Sequence, residues 1–134
     1  MVQVPGLFFC LFRGAWHATC MKLIRSVNVA GIGIPVWLAS PQEVPVLNGC
    51  DALYEPSVHR ILVLTRCPRG RRHDVVFHEI CHAAFAAMGG SADSIPDDAT
   101  EERIVLKLSA ILRPALLAAG WQEPDYDAEM GGAS

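Results

Sequence analysis

Two histidines and a glutamate in this chain have the spacing of a metal-dependent hydrolytic site, in the stretch His78-Glu79-Ile80-Cys81-His82. On a helix, residues four apart lie on one face about one turn apart, so His78 and His82 can bind one Zn²⁺ through ring nitrogens. Glu79 then lies about 100° further round the helix, beside the metal, where it can act as general base and then general acid. The H-E-x-x-H pattern therefore predicts a catalytic zinc site.

The residues around this motif predict the helix that must carry it. From Asp74, a candidate N-cap or first-turn acid, to Met88 the chain consists of helix formers and apolar residues, and Gly89-Gly90 would end the helix. Its apolar side chains point in nearly every direction, which indicates a helix that is buried on most sides. Burying two imidazoles and a carboxylate there is costly unless they are paired or bind a metal.

A third zinc ligand is expected on a second helix, from about residue 98 or 99 to residue 119. With Glu101 set at 0° and about 100° added per residue, the apolar stripe of this helix is centred on Glu101, whereas Glu102 lies off it. Glu101 is therefore the preferred ligand and Glu102 the alternative, while Asp97 and Asp98 belong to the loop or cap. The stripe consists of Ile104, Val105, Leu108 and Leu112.

Strands are predicted ahead of the two helices, so the expected fold is α+β with a small, mostly antiparallel sheet. Runs rich in Val and Ile at 22–30 and 34–38 predict two strands joined by a turn at Gly31-Ile32-Gly33. Pro35 favours an edge position for the second strand. Residues 58–65 form the strongest strand pattern, and Pro114 should kink or split the second helix. Residues 1–20 are expected to be an N-terminal extension, 21–120 the domain, and 121–134 an acidic flexible tail.

Composition and charge narrow the class of protein further. Hydrophobic residues make up 51% and charged residues 19%, as in compact soluble proteins. The longest apolar run, Leu7 to Phe12, is too short to cross a bilayer and makes a poor signal peptide, so a cytoplasmic protein without a membrane partner is expected. The odd number of cysteines, five, without a C-x-x-C pair favours reduced thiols.

A basic loop is the one feature that raises nucleic-acid binding as a possible function. Its cluster could contact nucleic acid, or it could be a solvated loop before the first helix. Because no aromatic or nucleic-acid motif accompanies it, a nucleic-acid partner is not expected. The cluster consists of Arg66, Arg69, Arg71 and Arg72.

The stretch from Arg60 through His78-Glu79-Ile80-Cys81-His82-Ala83 to Glu101-Glu102-Arg103-Ile104-Val105 resembles a known family. It is similar to compact phage- and bacterium-encoded zinc metallopeptidases, minimal gluzincin-like enzymes loosely related to the ImmA/IrrE type. The resemblance covers roughly residues 21–120, including Leu108 and Leu112. Pro114 and the first twenty residues depart from the pattern.

This resemblance implies hydrolysis of a protein or peptide substrate with one catalytic Zn²⁺, in a protein of phage or prophage origin that works in the host cytoplasm. In such peptidases an edge strand beside the metal pairs with an extended substrate. Residues 58–65 could form that strand or a purely structural core strand. The candidates for stabilising the oxyanion are Tyr54, His59 and His73.

A catalytically inactive zinc-binding module that acts through protein–protein contacts is the alternative function. It keeps the fold and the metal but not the turnover. The intact Glu79 argues against it, because a purely structural zinc site does not need that carboxylate. The oligomeric state stays open.

Overall fold

Strands come first and helices follow in this chain, as expected for the α+β class. The computed structural model describes residues 9–10, 17–18, 21–44, 49–88 and 97–131 of the 134 residues. The strands are β1 (Phe9–Cys10), β2 (His17–Ala18), β3 (Lys22–Val29), β4 (Ile32–Ala39), β5 (Ala52–Glu55) and β6 (Arg60–Leu64). A 3₁₀ turn, Arg69–Arg71, precedes helices α1 (Arg72–Ala87), α2 (Asp98–Ala118) and α3 (Tyr126–Met130).

Strands β3 to β6 form a mostly antiparallel sheet in the order β3-β4-β6-β5, which confirms the predicted fold class. Strands β3 and β4 pair antiparallel, as do β5 and β6, whereas β4 and β6 run parallel. Strands β1 and β2 pair with each other, and the rest of the expected N-terminal extension lies outside the described residues. Within the described ranges, no helix has the length and apolar character needed to span a bilayer.

The hairpin between β3 and β4 turns one residue earlier than expected. Its two central residues are Ala30 and Gly31, both with positive φ (53° and 84°), as a two-residue primed turn requires. The side-chain oxygen of Asn28 accepts a hydrogen bond of 2.9 Å from the Gly31 amide and supports the turn. Gly33 therefore belongs to β4 and not to the turn.

The edge position expected from Pro35 is wrong, because β4 lies between β3 and β6. Pro35 pairs with Ser26 of β3, and the first pair between β4 and β6 is Val36 with Ile61, one residue further on. At Pro35 the strand thus has a neighbour on one side only. A proline, which lacks an amide donor, fits an interior strand at such a position.

The strongest strand of the sequence is a core strand, so its expected alternative role as the substrate-pairing edge is wrong. Strand β6 lies between β4 and β5, and Ile61 to Leu64 are fully buried. The sheet edge next to β6 is instead β5, a four-residue strand that the sequence did not predict. Its residue Tyr54 is opposite Ile61 of β6.

One face of the sheet and the helices together enclose the main core. Helix α1 packs against β5 and β6 on one side and against α2 on another. The side chains that line this core come from all four strands of the sheet and from α1 and α3. They include Val29, Val36, Tyr54, Ile61, Val63, Val76, Ala83, Tyr126 and Met130.

Helix α2 runs unbroken through Pro114, so the expected split does not occur. Pro114 cannot bond the carbonyl of Ala110, but both residues are exposed and water can satisfy that carbonyl. The helix starts where expected, because Asp97 caps it by accepting a hydrogen bond of 2.7 Å from the Thr100 amide. Helix α1 ends at Ala87, and the expected stop at residues 89–90 lies outside the described residues.

Residues 121–131 are part of the folded domain, in contrast to the expected flexible tail. Tyr126 and Met130 of α3 are buried in the main core. The buried side chain of Arg72, the first residue of α1, donates a hydrogen bond of 2.9 Å to the carbonyl of Gly131. Aromatic and apolar residues inside the acidic segment therefore anchor it, and the domain extends at least to residue 131.

Replacing Tyr126 with Ala should lower the free energy of unfolding by about 3 kcal/mol, because it removes a fully buried aromatic ring. The matched control on the same helix is Glu129→Gln, which removes only the partly exposed ion pair with Arg25 and should cost less than about 1 kcal/mol. Urea unfolding of both variants measures the difference. Equal effects would contradict the assignment of α3 to the core.

Candidate metal centre

The two histidines of the motif lie on the side of α1 that faces the first turn of α2. Their rings are close, with centroids 5.0 Å apart, and both side chains are largely buried. The i, i+4 spacing on a helix produces this arrangement, as the sequence predicted. The helix thus presents both imidazoles to the same space.

Glu102 of α2 reaches into that space and contacts both rings. Its Oε1 lies 2.8 Å from Nε2 of His78, and its Oε2 lies 2.8 Å from Nε2 of His82. One ligand atom from each of the three residues lies within 4.8 Å of the others, so the group could hold a metal ion. His78, His82 and Glu102 are called the triad below.

Glu101, the preferred ligand from the sequence, contacts the opposite nitrogen of His82. Its Oε2 lies 2.7 Å from Nδ1, on the side of the ring that points away from the other triad members. The apolar stripe expected from the sequence includes residues that are exposed in the structure, such as Ile104 at 39% and Leu112 at 37%. The fully buried Val105 marks the true contact line, and it lies between the directions of Glu101 and Glu102.

Glu79 is buried beside the triad and is held by the edge of the sheet. Its Oε1 accepts a hydrogen bond of 2.8 Å from the backbone amide of Tyr54 in β5. Burial raises the pKa of the Glu79 carboxyl above its ordinary value of 4.5, although His82 and His78 oppose this shift. The carboxyl therefore has the raised pKa that general acid–base catalysis uses.

The pKa of His82 is raised above its ordinary value of 6.5 by the carboxylates around it. Burial disfavours the charged imidazolium, but the hydrogen bond to Glu101, the charge of Glu79 and the contacts with Glu102 outweigh that cost. Both ring nitrogens of His82 have a carboxylate partner. Without a metal, this arrangement favours the doubly protonated ring.

A cleft passes over the triad. It consists of two adjoining cavities of about 510 and 550 Å³, which share Cys50, Ala52, His78, Glu79 and Glu102. The first cavity extends along β5 to Pro56, and the second extends between α1 and α2 to Arg113. His78 and Glu102 thus lie where the two cavities meet, and His82 lines the first cavity.

Comparisons with models of protein families, with curated proteins and with solved structures found no match to this chain. The function of this protein therefore has to be inferred from the chemistry of the site. The triad offers two imidazole nitrogens and one carboxylate oxygen, a set that occurs in catalytic zinc sites.

Two of the three candidates for stabilising an oxyanion, Tyr54 and His59, are in contact, and His73 lies elsewhere. Tyr54 lines the first cavity, and its hydroxyl is 3.1 Å from Nδ1 of His59. His73 packs edge-on against Tyr126, with ring centroids 5.5 Å apart, and its Nδ1 is 3.8 Å from Asp127. The structure thus brings Tyr54 to the cleft and places His73 against α3.

The basic loop is not one continuous patch. Arg71 lies 3.3 Å from a carboxylate oxygen of Asp51, and Arg66 donates a hydrogen bond of 2.7 Å to the carbonyl of Cys50. Arg72 is buried under α3. Of the four arginines, three therefore have contacts within the protein.

Apart from the Tyr54 side chain, the contributions of β5 and of the segment before it to the site were not predicted from the sequence. Cys50 and Ala52 line both cavities, and the amide of Tyr54 binds Glu79. A four-residue strand gives little periodic signal, and a backbone amide gives none in the sequence.

Cys50, Cys67 and Cys81 are free thiols, as expected.

The metal-free protein should lose stability as the pH rises above about 6.5. Because the folded-state pKa of His82 is raised, its interactions stabilise the fold fully below the unfolded-state pKa and are lost as the pH passes the folded value. Replacing His82 with Gln should flatten this part of the stability profile. Urea unfolding between pH 6 and 9 with a chelator present measures both, and parallel profiles would contradict the prediction.

Proposed function

We propose that this protein is a zinc-dependent metallopeptidase. His78, His82 and Glu102 hold the Zn²⁺, and Glu79 is the general base and then the general acid. The observation that carries the proposal is the meeting of three metal-binding side chains in a cleft beside a buried carboxyl with a raised pKa. This arrangement supports the function that the family resemblance implies.

The triad offers ligand atoms of the kinds and at the separations from which a zinc site can form, since one from each residue lies within 4.8 Å of the others. Zinc bound tetrahedrally at about 2.1 Å keeps its ligand atoms about 3.4 Å apart. The present separations of 2.8 Å between Glu102 and the two histidines are hydrogen-bond distances, so these side chains would have to move apart slightly to hold the ion. When bound, Zn²⁺ supplies Lewis acidity, which polarises a carbonyl and lowers the pKa of a coordinated water to about 7.

Glu79 is positioned for proton transfer by the contact that buries it. The Tyr54 amide binds one carboxylate oxygen, which fixes the side chain and leaves the other oxygen for a proton. A raised pKa brings the carboxyl closer to the pH at which it must accept and return that proton. Its burial on α1, one residue after His78, keeps it next to the triad.

An extended peptide is the substrate that the cleft fits best. Because the Tyr54 amide points to Glu79, Tyr54 and Ala52 direct their backbone groups to the side of β5 away from β6. Both residues line the first cavity, so the edge of the sheet borders the triad. A peptide can hydrogen-bond to this edge and place its scissile bond over the triad.

Purified protein should contain about one zinc per chain, and Glu102→Ala should lose it, because two imidazoles alone bind zinc weakly. The control is Asp98→Ala, which removes an exposed acid from the same helical turn and should leave the zinc content unchanged. Elemental analysis of the three proteins gives the result. Folded wild-type protein that neither contains nor takes up zinc would exclude the zinc site.

Glu79→Gln should keep the zinc and reduce peptide hydrolysis at least about 100-fold, because it removes the proton acceptor without removing a ligand. A library of peptides, analysed by mass spectrometry after incubation, reports hydrolysis without a chosen sequence. Equal cleavage by the variant would exclude the role of Glu79. Zinc-loaded wild-type protein that cleaves no peptide would favour the inactive zinc module.

A further inference from the structure

The two triad histidines differ in what lies on their second ring nitrogen. Nδ1 of His82 is 2.7 Å from Oε2 of Glu101. Among the described residues, none forms a hydrogen bond with Nδ1 of His78. Glu101 and Glu102 are consecutive, so one helical turn supplies both a triad member and the carboxylate behind His82.

We propose that Glu101 is a positioning residue, which holds the proton of His82 on Nδ1 so that Nε2 presents its lone pair to the metal. This inference rests on the zinc site proposed above and deepens it. A neutral imidazole carries its proton on one nitrogen, and the hydrogen bond made by that nitrogen sets which one it is. Only a ring protonated on Nδ1 can bind zinc through Nε2.

Zinc binding requires His82 to lose one of the two protons that the metal-free ring holds. Glu102 lies 2.8 Å from Nε2 of His82, and the proton on this atom must leave before the atom can bind zinc. Glu101 retains the proton on Nδ1, on the opposite side of the ring. Carboxylates behind ligating histidines also fix the orientation of the ring and raise the basicity of the ligand.

The fold holds Glu101 in place for this contact. The amide of Glu101 donates a hydrogen bond of 3.1 Å to the carbonyl of Asp97, which also caps α2 through its side chain. One turn later, Val105 is fully buried against Phe77 and Cys81 of α1. The first turn of α2 is thus fixed at both ends, and its Glu101 carboxylate is only 22% exposed.

Zinc affinity, measured by competition with a chelator, tests the role without any need for turnover. Glu101→Ala should weaken zinc binding 10- to 100-fold, the usual effect of losing such a partner. Glu101→Gln should lose only a small part of this, because its carbonyl oxygen still accepts from Nδ1–H. Glu101→Asp keeps the charge but draws the carboxylate back, so it should bind zinc more weakly than the Gln variant.

Asp98→Ala is the control for effects on the helix, because it removes another acid from the same first turn of α2. Its zinc affinity should equal that of the wild type. Binding by Glu101→Ala and by Glu101→Asp as tight as in this control would overturn the positioning role. Absence of zinc binding by the wild type would instead overturn the zinc site itself, and this role with it.

Proton NMR of the zinc-loaded protein with ¹⁵N-labelled histidine gives a second readout. The Nδ1–H signal of His82 should be visible in the wild type and in Glu101→Gln, because a hydrogen bond slows its exchange with water. It should disappear in Glu101→Ala while the carbon-bound ring signals of both histidines persist. A His82 Nδ1–H signal that survives in Glu101→Ala would overturn the proposal.

Discussion

The burial of Glu79 is the constraint on which the site depends. A carboxylate in an apolar helix is costly unless its charge and lone pairs are satisfied. Here the Tyr54 amide and the two neighbouring imidazoles supply that compensation. The same contact fixes α1 against the edge of the sheet, so the position of the histidines and the position of β5 follow from one buried side chain.

Helix α2 completes the site although most of its large apolar side chains are exposed and not packed in a core. In the described chain, Val105 is its one fully buried side chain, and it packs against α1 one turn after the two glutamates. Many other apolar side chains of α2 are exposed: Ile104, Leu106, Ile111, Leu112, Leu116 and Leu117. The helix contacts α1 through Val105, through Glu101 and Glu102 on the histidines, and through the ion pair of 2.9 Å between Arg113 and Asp74.

How much of this could be predicted from the sequence depends on whether a feature is local. Three features follow from local patterns and are present in the structure: the spacing of His78 and His82, the cap at Asp97, and the order of strands and helices. The choice between Glu101 and Glu102 depended on which face of α2 touches α1. Periodicity could not decide it, because α2 also carries apolar side chains on faces that are exposed in the described structure.

Features set by contacts between distant residues were not predictable in this way. Pro35 suggested an edge strand. Only the pairing of β4 with β6 shows that this pairing starts at Val36, so the amide that Pro35 lacks is not needed for it. Strand β5 is recognisable only through its partner β6 and through Glu79. The acidic composition of residues 121–134 gave no sign that Tyr126 and Met130 would be buried, because their burial depends on strands that precede them by between about 60 and 100 residues.

The hydrogen bond from Arg72 to Gly131 also has a consequence for the order of folding. The two residues are 59 positions apart, so α1 can form long before the carbonyl that its buried guanidinium needs has been synthesised. During synthesis, α1 can therefore form while the side chain of its first residue, Arg72, still lacks the hydrogen bond to Gly131. This contact, of high sequence separation, can close only after residue 131 has emerged, so the N-terminus of α1 gains its last partner after the residues of the triad have been synthesised.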